Sequence, residues 1–127
     1  MIGLLICLKQ LFMATYLEIM FFFTKNKISG IIDFYFSCKD FIAYELALAI
    51  NDWCFSKNTE LNIENYKSLI LGFNNNSSLN NEEKDSMNVL LRGAAVRILV
   101  TRLHDTIFHP NNALVIPKNP EEYLNIL

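Results

Sequence analysis

"SGIIDFYFSCKDFIAYELALAINDWCF", residues 29–55, changes its period once and thereby sets the architecture. Its first part is rich in β-branched residues and ends on an acid, which predicts a strand over residues 28–34. From Lys39 to Asp52 good helix formers take over, apolar nearly all round. That pattern predicts a helix buried on most of its circumference. Trp53, Cys54 and Phe55 are expected to close it. Upstream, residues 21–23 give a second short strand, joined to the first by the polar turn Thr24-Lys25-Asn26-Lys27.

Downstream the punctuation is helical. Asn62 can cap a helix from 63 to about 73, with Ile63, Tyr66, Leu69 and Ile70 on one side. "NNNSS", residues 74–78, reads as a loop. Asn80 and Glu83 have capping-box spacing, and the helix that follows is the longest element, running to about 108. Asn119-Pro120-Glu121-Glu122 places a cap, a proline at the first helical position and acids in the first turn. The expected fold is mostly α with a short β-hairpin: one strand pair, then four helices.

A chain of 127 residues is enough for one small domain, and 52% hydrophobic residues require a core. With 13 acids against 11 bases the net charge is -2, so the basic stripe of a nucleic-acid binder is missing and no nucleic-acid partner is expected. Cys7, Cys38 and Cys54 form no CxxC pair, which argues against a zinc site or a disulfide framework. They suit a reducing, cytoplasmic setting, with Cys38 and Cys54 as small apolar fillers.

Residues 1–23 are apolar enough to span a bilayer in length. Lys9 and Glu18 would be costly inside one, and the basic start and small-residue cleavage site of a signal peptide are absent. A membrane role is therefore not expected. The stretch also lacks any periodicity.

Asp33 is the acid of interest. At a strand end, a carboxylate projects from rigid backbone, which suits Mg²⁺, a hard cation that takes one or two protein carboxylates. On spacing alone an acid that caps the next turn is the competing reading. Arg92, Arg97 and Arg102 recur at five-residue spacing, which spreads them around a helix. They fit ion pairs with acids such as Asp40, Glu45 or Asp105, or an anionic substrate. His104 and His109 have no metal-like spacing and are expected at the surface.

The string at 29–55, "LLRGAAVRILVTRLHD" at 90–105 and "ALVIPKNPEEYL" at 113–124 resemble, in order, the C-terminal part of bacterial homoserine kinases. These have the aminoglycoside-phosphotransferase, protein-kinase-like fold. The resemblance covers about residues 21–127 and implies a remnant of the helical C-terminal lobe. It also implies ATP and Mg²⁺ as cofactors, with Asp33 of "IDF" as the metal ligand. Glu45 stands where the family usually has Asp, in "AYDLA". A change of that kind bears on packing more than on chemistry.

The resemblance also implies a catalytic loop like H-G-D-x-x-x-D-N shortly before the strand, and a lysine-bearing N-terminal lobe. Where the loop is expected, the chain reads "FMATYLEIMFF", residues 12–22. Back-translated and read from the third base of each codon, residues 12–23 permit H-G-D-L-F-R-D-N-V-F-F, with the Gly and the Val forced. Residues 1–20 thus read as out-of-frame translation, and 21–127 as a partial kinase-like C-lobe. On this reading the chain by itself should not turn over. A separately encoded N-terminal kinase fragment is the implied partner. A small membrane-anchored helical protein, or a piece of another small-molecule kinase, is the alternative.

Overall fold

The computed structural model describes residues 20–35, 37–38, 40–55, 60–110 and 112–127. The apolar head at 1–19, including Cys7, lies outside them. Two strands, β1 (Phe21–Thr24) and β2 (Lys27–Ile31), form an antiparallel hairpin. Its turn residues Lys25 and Asn26 both have positive φ, 50° and 60°. A two-residue turn of that hand matches the right-handed twist of the strands it joins. Pairing runs from Thr24 opposite Lys27 to Phe21 opposite Ile31, with a register shift between Phe22 and Phe23. β2 stops at Ile31, three residues short of the expected strand. The Ile32 N–H still bonds the Met20 carbonyl at 3.0 Å, and Asp33 lies between the strand end and the turn that the Ser37 N–H closes on the Phe34 carbonyl.

The buried helix is α1 (Ile42–Trp53). It starts three residues later than expected because the Asp40 carboxylate accepts the Phe41 N–H at 2.7 Å, an arrangement that competes with the helix. Ala43 and all residues from Glu45 to Asn51 are buried, as the all-round apolar pattern requires, and Cys54 is the C-cap. α2 (Ile63–Asn74) is capped by Asn62, whose side chain accepts the Asn65 N–H at 3.0 Å. Leu69 and Phe73 are its buried residues, and Ile63 is exposed.

The long helix is broken at Ser86 into α3 (Asn81–Asp85) and α4 (Met87–Ile107). The Asn80–Glu83 capping box forms in both directions, at 2.8 Å each way. α5 (Glu121–Leu124) starts one residue after the expected position. Asn119 still acts as a cap, its Oδ1 accepting the Glu121 N–H at 3.0 Å.

Three apolar clusters meet on α1. Leu46, Ala49, Ile50 and Cys54 pack on Leu69 and Phe73 of α2. Ala47 and Leu48 pack on Ala94, Ala95 and Ile98 of α4 and on Tyr123 of α5. The alanines at this crossing let two helix backbones approach closely. Met20 and Phe21 tie the hairpin to Trp53, and the Phe21 and Trp53 rings meet edge to face at 5.2 Å. Among the described residues, no helix is long and apolar enough to cross a membrane.

Candidate functional site

Asp33 sits two residues beyond β2, half-buried, with φ at 69°. It shares positive φ with only the two turn residues among the described non-glycine positions. An L side chain there costs about 1–2 kcal/mol, less for Asp and Asn, which visit this region more readily than most. Its carboxylate has no recorded hydrogen bond or ion pair among the described residues. The next turn closes through the Ser37 N–H on the Phe34 carbonyl at 3.1 Å, not through the Asp33 side chain. The turn-capping role is therefore not what holds this acid here. No group of three or more candidate metal-binding side chains occurs among the described residues. That leaves Asp33 as a single hard-oxygen donor, a fit to Mg²⁺ held mainly by phosphate oxygens and water.

The arginines separate as five-residue spacing predicts, and Arg102 pairs with an acid outside the expected set. Arg102 is buried, and its Nη1 donates to Glu122 Oε2 at 2.6 Å and to the Asn119 carbonyl at 3.0 Å. Its guanidinium also lies 4.6 Å over the Tyr123 ring, a cation–π contact. Asp40 is occupied with the Phe41 N–H, and Asp105 faces His104 at 3.4 Å. Arg92 is exposed, with no recorded ion pair or hydrogen bond among the described residues. Glu45 is buried. His104 is exposed and stacks near Phe108, ring centroids 4.8 Å apart, whereas His109 is half-buried.

Tyr123 links three helices: its ring lies against α4, and its hydroxyl donates to Asp52 Oδ1 on α1 at 3.0 Å. Burial, then the neighbouring Asp52 carboxylate, pushes its phenol well above the usual range. Burial also pushes the Cys54 thiol up to about 11, as befits an apolar filler. Cys38 is exposed and fills nothing.

Beside this network a cleft of about 450 Å³ opens between α1 and α4. Asn51 and Phe55 line one side, Asn88, Leu91 and Arg92 the other, and Ile126 and Leu127 one end. Asn51 is only 3% exposed. Its Nδ2 donates to the Leu91 carbonyl at 2.8 Å, and its Oδ1 accepts nothing and is closed to solvent. The sequence carried a signal for Asn51, an amide inside the apolar run "LALAIND". The pairing of Arg102 with Glu122 and of Tyr123 with Asp52 had none, because the partners lie 20 and 71 residues apart.

A model of the phosphotransferase enzyme family matches residues 19–68. Homoserine kinase of Sinorhizobium fredii (strain NBRC 101917 / NGR234) is 44% identical over 106 residues, 84% of this chain and 32% of its own length. Those of Allorhizobium ampelinum and Xanthobacter autotrophicus are each 46% identical over 84% of this chain and 33% of their own. Most of the chain is thus similar to homoserine kinases, and it spans about a third of the length of the curated relatives it matches.

Proposed function

We propose that residues 21–127 are a C-terminal segment of an ATP-dependent homoserine kinase and that this segment supplies the metal-holding acid, Asp33. The observation that carries the reading is the identity to homoserine kinases across most of the chain, with "IIDF" leading into a turn where the Asp33 carboxylate has no partner among the described residues. In such a transfer the homoserine hydroxyl oxygen bonds the γ-phosphorus. The bond from that phosphorus to the β–γ bridging oxygen breaks, ADP leaves, and the hydroxyl proton passes to a base. When bound, Mg²⁺ neutralises charge on the phosphate oxygens. Asp33 contributes a fixed negative oxygen, held by the hairpin and by the packing of Phe21 on Trp53.

The H-G-D-x-x-x-D-N string that would carry the base does not occur in these 127 residues. Phosphoryl transfer depends almost wholly on positioning and charge stabilisation. The chain by itself is therefore expected not to phosphorylate homoserine, and a polypeptide carrying the base and the phosphate-covering lobe is the partner it needs. Residues 1–20 are read as out-of-frame translation of the gene for that missing loop. Codons for residues 12–24 that cannot yield His-Gly-Asp in the shifted register would refute this part.

The function is tested by replacing the matching third of the Sinorhizobium fredii enzyme with residues 21–127. The chimera should form phosphohomoserine from ATP and homoserine, and the isolated chain should not. A folded chimera with no turnover on homoserine, or turnover by the isolated chain, would overturn the proposal. A membrane-anchored helical protein is the less favoured reading, since it leaves the match to homoserine kinases without explanation.

A further inference from the structure

We infer that α4 pairs with the α4 of a second copy of this chain, antiparallel, about a two-fold axis at the level of Ile98. Val89, Gly93, Val96, Val100, Leu103 and Ile107 are all exposed. They follow one another at spacings of four, three, four, three and four residues, the alternation of a seam between two helices. At about 100° per residue, all six lie within about 40° of one line along the helix. The opposite side of α4, with Ala94, Ala95 and Ile98, already packs on α1.

The seam reads the same in both directions. Reversed about position 98, residue 89 maps to 107, 93 to 103 and 96 to 100. An isologous contact requires this, since residue i meets j and j meets i. The sizes agree as well. Val96 faces Val100 and Val89 faces Ile107, while Gly93, which has no side chain, faces the bulky Leu103. A Cβ built on Gly93 meets nothing within 4 Å, so packing among the described residues does not explain a glycine that costs a helix interior about 1 kcal/mol. Room for a leucine of the second copy does explain it. The palindrome selects a second copy over a partner of other sequence, which would need no such symmetry. Closing the seam removes on the order of 1,000 Å² from water over both copies, the low end for a specific interface. Arg97 of each copy then stands near the axis beside its counterpart, a like-charge contact. Both facts make the dimer weak and dependent on concentration.

The inference is independent of the kinase reading. Light scattering of the 127-residue chain over a concentration series should level off at two copies. Orientation is read by oxidative cross-linking in a Cys7→Ser, Cys38→Ser background. A mixture of Val89→Cys and Ile107→Cys chains should link 89 to 107. Val89→Cys alone should not link to itself, because the two ends lie about 27 Å apart in the antiparallel pair. Gly93→Leu favours the helix and adds exposed apolar surface, so general stickiness would make it associate more tightly. The seam predicts the reverse, a dimer weakened about tenfold or more, since two leucines then compete for one layer. Adding Leu103→Ala should restore pairing, with circular dichroism verifying that each variant is folded. Growth beyond two copies, 89-to-89 cross-links or tighter association of Gly93→Leu would each overturn the inference. So would a monomer at every concentration, which would leave the seam to the polypeptide that supplies the rest of a kinase.

Discussion

Asp33 occupies a backbone conformation that glycine would adopt without penalty. That allows strain to be separated from use. Asp33→Gly should leave the chain as stable as before, or more stable by up to about 1 kcal/mol, measured by urea unfolding. The same change in the active chimera should remove turnover. A loss of stability would show that the carboxylate is structural. Cys54 and Tyr123 make a prediction of the other kind. Both ionise with more difficulty folded than unfolded. Above pH 9.0, the ordinary value of the thiol, the unfolded chain therefore binds fewer protons than the folded one. The Cys54 contribution is fully present at neutral pH and is lost as pH rises from 9.0 to about 11, and that of Tyr123 begins to be lost above 10.0, the ordinary value of the phenol. Tyr123→Phe should cost about 1–2 kcal/mol at pH 7 through the lost bond to Asp52 and should flatten the upper part of that alkaline limb. An unchanged limb would contradict the assignment. Sequence showed Asp33 as a candidate but not its positive φ, since the strand was expected to run through it. It showed three arginines but not which were spoken for, because ion pairs depend on how α5 folds back.

At the scale of elements, local chemistry was readable and tertiary facing was not. Caps act over three residues, so Asn62 and Asn80 with Glu83 do what their spacing predicts, whereas Asn119 bonds the Glu121 N–H from one residue before the N-cap, Pro120. Asn62→Ala should cost about 1 kcal/mol, read as a lower urea midpoint with unchanged slope; no shift would mean α2 is held by packing alone. Where the expectation failed, a competing interaction acted. The Asp40 side chain delays α1, and Ser86 interrupts what periodicity joined. Ile63 has the right spacing to share the buried side of α2, yet it lies at the first turn and is 51% exposed. The all-round apolar character of α1 was the most reliable signal, because three clusters converge on that helix.

At the scale of the molecule, α4 is apolar on two faces and covered on one. Ala94, Ala95 and Ile98 pack on α1, while Val89, Val96, Val100, Leu103 and Ile107 stand exposed. A helix apolar all round normally has cover all round, and exposed apolar surface of this extent favours association. The isolated chain should therefore self-associate as its concentration rises, by size-exclusion chromatography with light scattering. Val96→Lys with Val100→Lys should reduce that association without unfolding the chain. Among the described residues the hairpin also leaves two strand edges unpaired. The central claim is that Asp33 is the acid through which this segment serves phosphoryl transfer. Its most direct test is the steady-state rate of the chimera with and without Asp33→Asn, at saturating Mg²⁺, ATP and homoserine. A fall in kcat of roughly a hundredfold or more with an unaltered melting temperature is predicted, and a chimera that turns over equally well with Asn at position 33 would contradict it.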